Sequence, residues 1–206
     1  MPWTVDLSAQ QIFYRVFAAV IAVALHGFVT AGLARLLGDR GPQYDGRLTL
    51  NPFRHIDPIG MLCAVLVLFG WSRPPKIDPA ELRFGRLALP IIVFASILTL
   101  IAFAAGLWAL RPLAFSLMPS SSVSYVAVGL LETIAQMSVY MAVINVLPLP
   151  PLGAGFLVLA LAPAAYRWIE KRMVFFSIAV GALCLFWAPT ALSGLARSIL
   201  RLVTGG

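Results

Sequence analysis

Gly46-Arg47-Leu48-Thr49-Leu50-Asn51-Pro52-Phe53-Arg54-His55-Ile56-Asp57-Pro58-Ile59-Gly60 is the stretch on which the fold of this chain turns. Arg47 to Leu50 alternates polar and apolar residues, as a short extended segment does. Asn51-Pro52 and Asp57-Pro58 then supply turn chemistry, and Gly60 lets the backbone bend back. Apolar runs flank this irregular segment on both sides. Non-helical backbone at membrane depth is tolerated only where protein covers it or it lines a cavity. The stretch therefore predicts a packed membrane core folded around a buried loop.

The rest of the chain agrees with a membrane setting. Its residues are 61% hydrophobic and 11% charged, far from the usage of soluble domains. No charged residue lies between Arg15 and Arg35, between Arg86 and Arg111, or between Arg172 and Arg197. At about 1.5 Å per residue, each run can cross a hydrocarbon core of about 30 Å. A fourth run, Val123 to Leu147, is broken only by Glu132. Pro58 to Ser72 is short for a span and contains Gly60 and Gly70, which fits a re-entrant hairpin. The expected fold is an all-α integral membrane protein with about four to five transmembrane helices plus that hairpin. Residues 1–206 form one polytopic membrane domain, with 1–14 a short N-terminal tail and 190–206 a C-terminal amphipathic segment.

A net charge of +7 would suggest nucleic acid in a soluble protein, but here the placement of the cations carries more information than their sum. Residues 1–14 contain no Lys or Arg, while 35–57 and 73–86 contain four each, and Arg167, Lys171 and Arg172 follow later. Putting all the basic loops inside predicts an N-terminus outside and a first span that acts as an uncleaved signal anchor. The nearly uncharged loop Pro112 to Ser122 then falls outside. Arg197 and Arg201, four apart on an otherwise apolar helix, suit an interfacial segment. Cys63 and Cys184 lie in apolar stretches without metal-ligand spacing and read as small packed hydrophobes. Glu132 shares a helical face with Thr133, Gln136 and Tyr140. That stripe suggests interhelical hydrogen bonds, with Glu132 protonated.

The motif loop, preceded by a His-containing helix and Leu37-Gly38-Asp39 and followed by Phe69-Gly70-Trp71 and Pro74, resembles the site-2 protease family of intramembrane zinc metalloproteases in its compact bacterial form. Asn145-Val146-Leu147-Pro148-Leu149-Pro150-Pro151-Leu152 is similar to that family's Asn-x-x-Pro-x-Pro-Pro-Leu-Asp-Gly. The resemblance covers most of residues 20 to 165 in order. It implies a site-2-protease-like core in a bacterial cytoplasmic membrane.

The chemistry of that family needs His-Glu-x-x-His on one helix. Residues i and i+4 share a face and can hold one metal, and the Glu activates the bound water. In Leu25-His26-Gly27-Phe28-Val29-Thr30 only His26 is kept. Gly27 stands at the position of the catalytic Glu, Thr30 at that of the second His, and Gly153 at that of the Asp ligand. An Asn that the family carries in its third span has no counterpart in Leu89-Pro90-Ile91-Ile92-Val93. The resemblance thus implies a catalytically inactive relative, with His26 a remnant hydrogen-bonded within its helix, to Thr30 one turn on. No cofactor is expected.

Such a chain would serve as a binding or scaffold subunit for transmembrane protein partners within membrane lipid. By resemblance Asn145, Pro148, Pro150 and Pro151 sit beside the substrate groove, and Glu132 and Gln136 are further candidates for partner contact. The first alternative is an active metalloprotease using His26, His55 and Asp57 as substitute zinc ligands. The second is a transporter or channel component, disfavoured by the near absence of charge inside the spans.

Overall fold

The computed structural model describes residues 8–117 and 121–205. Three helices form its centre: α1 (Ala9–Leu36), α4 (Ala88–Ala109) and α6 (Ser121–Ile144) all pack on one another. Between α1 and α4 come the short α2 (Gly41–Tyr44) and the hairpin helix α3 (Pro58–Val67). Then follow α5 (Arg111–Leu117) before α6, and α7 (Gly155–Leu161), α8 (Pro163–Glu170), α9 (Met173–Phe186) and α10 (Ala188–Thr204) after it.

Close packing of α1 rests on small side chains. Ala18, Ala19, Ala22, Ala31 and Ala34 are fully buried, which lets neighbouring backbones approach without a gap. Large apolar side chains such as Phe13, Phe17, Ile91, Phe94 and Leu98 instead point outward and are exposed. An apolar exterior of this extent belongs in lipid. Among the described residues, three helices are long and apolar enough to cross a membrane, or four if α9 and α10 count as one bent span. The chain is a multi-pass, all-α membrane protein.

Three local readings are refined. The Ser8 hydroxyl accepts from the Gln11 amide, so α1 starts at Ala9, inside the stretch 1–14 read as a tail; residues 1–7 lie outside the described part. The expected loop Pro112 to Ser122 contains α5, because Pro112 occupies a first-turn position where its missing N–H costs no helical bond. The amphipathic C-terminal helix begins at Ala188, bent by 70° from α9, with Pro189 in its first turn.

Pro58 to Ser72 does form a hairpin. Helix α3 rises for ten residues, about 15 Å. At its end Leu68 takes a left-handed backbone with φ 69°, and the chain returns in extended form through Phe69, Gly70 and Trp71. Entry and exit meet at an antiparallel bridge between Ile56 and Ser72, with the Arg73 amide donating to the His55 carbonyl at 2.7 Å. The two arms press so closely that a Cβ on Gly60 would lie 2.6 Å from the Trp71 carbonyl oxygen, and one on Gly70 2.6 Å from the Gly60 carbonyl oxygen. Only glycine fits at either position. At the tip, the Arg15 guanidinium donates to the Val65 and Leu66 carbonyls at 3.1 and 3.0 Å, closing the free end of α3. The hairpin is held between α1 and α9.

Candidate functional site

His26 lies about midway along α1, where the hairpin exit and the loop that ends at Gly153 converge on it. Its Nδ1 is 2.8 Å from the Ser72 hydroxyl at the hairpin exit. Its Nε2 is buried and has no hydrogen-bond partner. A Cβ built on Gly153 would sit 3.4 Å from that Nε2, so a side chain at 153 would project at the ring. On the next residue of α1, a Cβ on Gly27 would fall 2.3 Å from Nδ1 of His55, so the His55 ring fills the space in front of Gly27.

His55 is fully buried. Its Nε2–H donates to the Thr49 carbonyl at 2.8 Å, which leaves Nδ1 as an acceptor facing α1 without a partner. Burial holds this imidazole below its ordinary pKa; the bond to Thr49 opposes that shift, and the charge of Arg47 adds to it. The ring is therefore neutral at pH 7.

Asn145 joins the pieces. It is fully buried at the end of α6, and its Nδ2 donates to the Gly70 carbonyl at 3.0 Å and the Met141 carbonyl at 2.8 Å. Its Oδ1 accepts from the Gly153 amide at 2.7 Å, and its own carbonyl accepts from the Ala154 amide at 2.9 Å. One side chain thus ties α6, the hairpin and the 147–153 loop together, and in doing so holds Gly153 against His26. The Pro150–Pro151 peptide in that loop is cis. Pro150 and Pro151 are buried whereas Pro148 is exposed.

Two readings of side-chain partners are corrected. The Thr30 hydroxyl does not reach the His26 ring; it donates to the His26 backbone carbonyl at 2.7 Å. A threonine inside a helix satisfies itself most cheaply on the carbonyl four residues back. Glu132 does bond to a neighbouring helix, but its partner is a cation of α5. Its carboxylate pairs with the Arg111 guanidinium at 2.6 Å, and that guanidinium stacks over the Trp108 ring at 3.8 Å. The Thr133 hydroxyl beside it turns back to the Gly129 carbonyl. Glu132 lies thirteen residues from Asn145, about 20 Å along α6, so Glu132 and Gln136 stand apart from the residues gathered at His26.

Sequence reasoning missed Ser72 and Asp39. Ser72 meets His26 only through the hairpin return, a pairing with no local signature. Asp39, almost fully buried, accepts from the Gly41 amide at 2.7 Å and the Asp78 amide at 2.9 Å, fastening the two basic loops to each other.

A zinc ion does not fit the donors present. Catalytic zinc takes three protein ligands plus water. Around His26 and Gly27 the structure offers two free ring nitrogens, His26 Nε2 and His55 Nδ1, one short of three; Thr30 spends its hydroxyl on its own helix, Gly153 has no side chain, and the Asn145 oxygen is bonded to the Gly153 amide. The His26, His55 and Asp57 set does not assemble either. Asp57 uses its carboxylate to cap α3 through the Ile59 and Gly60 amides, both at 3.0 Å. Among the described residues, no three His, Cys, Asp or Glu side chains converge as a ligand group.

The motif loop, the hairpin and the Asn145 clamp arranged around His26 define a membrane protein similar to the site-2 protease family. The chain is 27% identical over 156 residues to the Bacillus subtilis (strain 168) protein named "Putative zinc metalloprotease YwhC", an alignment covering 75% of this chain and 71% of that protein. That similarity agrees with the resemblance carried by the motifs. No protein-family model matches the chain, and no solved structure matches it.

Proposed function

We propose that this chain is a catalytically inactive relative of the intramembrane zinc metalloproteases and acts as a binding or scaffold subunit for transmembrane partners in a bacterial cytoplasmic membrane. One observation carries the reading. The backbone still brings position 153 to Nε2 of His26 and position 27 to the same interior, yet glycine occupies both. A general base needs a side chain within hydrogen-bond reach of the attacking water, and Gly27 supplies none. The arrangement supports retention of a scaffold rather than retention of chemistry.

Binding would use the loop after α6. Pro148, Pro150 and Pro151 lack backbone donors, so carbonyls around them can pair with an incoming extended or unwound segment. Pro148, Val146 and Leu149 are exposed beside the clamped Asn145, which offers a rigid edge with an apolar surface. The basic loops fit a cytoplasmic position and an N-terminus on the opposite side.

Crosslinking in native membranes, with a photoreactive residue at Val146 or Leu149 and identification of what is captured, tests the binding role. Specific capture of one membrane protein is expected. If labels at these positions capture nothing while the chain isolates as a monomer in mild detergent, the scaffold reading fails.

A further inference from the structure

A cleft of about 750 Å³ opens between the base of the hairpin and the first turns of α9, away from His26 and away from the 147–153 loop. Arg47, Arg54, Arg73 and Lys76 line one side of it. We infer that this cleft is a binding site for the phosphate of an anionic phospholipid headgroup.

The cations are held close together without being neutralised. The Arg47 guanidinium donates to the backbone carbonyls of Arg54 and, at 3.2 Å, Arg73, which brings the main chain of the two other arginines to Arg47. Besides its burial, Arg47 feels Arg73 and Arg54 as like charges and Asp45 as an opposing one. Three acids also line the cleft, but none forms an ion pair within 4.0 Å with any of these four cations among the described residues. Asp57 turns its carboxylate to the start of α3, and Asp45 acts on Arg47 as an opposite charge, so the four cations still outnumber the three acids of the cleft. A mobile anion that accepts from several guanidinium groups at once satisfies this arrangement, and phosphate matches the planar donor fork of arginine.

The source of the phosphate follows from the other wall. Ile59, Met173 and Val174 make that side apolar, and Val174 and the adjoining Phe175 are exposed. Helix α9 starts directly after Lys171 and Arg172, so its first turns lie where a basic segment meets an apolar run. A ligand with a phosphate at one end and acyl chains at the other meets both walls. Free phosphate meets only one.

The test uses the full chain purified in neutral detergent. Thermal unfolding and binding are measured with short-chain phosphatidylglycerol, short-chain phosphatidylcholine and inorganic phosphate. Saturable stabilisation by phosphatidylglycerol, absent with phosphatidylcholine, is the expected result. Arg54→Gln with Lys76→Gln, both exposed side chains, should weaken that binding about tenfold or more. Arg201→Gln, on exposed α10, should leave it unchanged and controls for loss of surface charge. Equal stabilisation by inorganic phosphate would overturn the lipid assignment. No stabilisation by phosphatidylglycerol, or stabilisation that survives the double substitution, would overturn the site itself.

Discussion

Asn145 and His26 stand on either side of Gly153, and their side chains are used in opposite ways. Asn145 engages both amide hydrogens and its oxygen, and each bond joins a different segment of the core. His26 engages one ring nitrogen with Ser72 and leaves the other buried without a partner. A buried polar atom left unpaired costs about 1–3 kcal/mol, so a fold does not keep one for stability alone. The clamp around Asn145 holds the scaffold together. The His26 face holds a partnerless ring nitrogen with glycine, not a side chain, opposite it.

The comparison can be broken most severely at the clamp. Asn145→Leu would strand the Gly70 carbonyl and the Gly153 amide in the interior, and a loss of about 3 kcal/mol in unfolding free energy is expected in detergent. A loss below about 1 kcal/mol would mean that the clamp is incidental. The two glycines near His26 sharpen the contrast at a smaller scale. Gly27→Ala would drive a methyl group into the His55 ring, at a cost of about 1–3 kcal/mol. Gly153→Ala meets Asn145 and His26 at 3.3 and 3.4 Å and should cost less than about 1 kcal/mol. Unfolding of the two variants side by side decides whether position 153 is still shaped for a side chain while position 27 is closed by His55.

His55 adds a pH dependence. Its folded-state pKa lies below the ordinary 6.5, so below that value the unfolded chain takes up a proton that the folded chain resists. Stability is therefore complete above about pH 6.5 and falls as pH drops, by at most about 1.4 kcal/mol per pH unit for one proton. His55→Gln should lessen the fall of the unfolding temperature between pH 7.5 and 5.5, and an unchanged slope would show that another group is responsible. The smallest effect belongs to Thr30→Val. It removes only a hydroxyl bonded to its own helix and should change stability by less than about 1 kcal/mol.

Much of the frame was legible in the sequence because membranes impose simple rules. Charge-free runs marked α1 and α4, a run broken only by Glu132 marked α6, and the short glycine-containing run between two basic segments marked the hairpin. Pro189 marked the bend before α10 to within two residues. Pairings between distant segments carry no such mark. That Glu132 meets Arg111 depends on α5 folding back beside α6, and that Ser72 meets His26 depends on the return arm of the hairpin. At the site, the departures from the family's motifs at positions 27, 30 and 153 were readable as letters. Their spatial convergence, with His55 filling the room before Gly27, was readable only from the fold.

Metal content tests the central claim most directly. Protein purified from native membranes without chelator or added metal should contain zinc far below one ion per chain, with no change on His26→Ala. Stoichiometric zinc that disappears on His26→Ala would contradict the account and restore a metalloprotease.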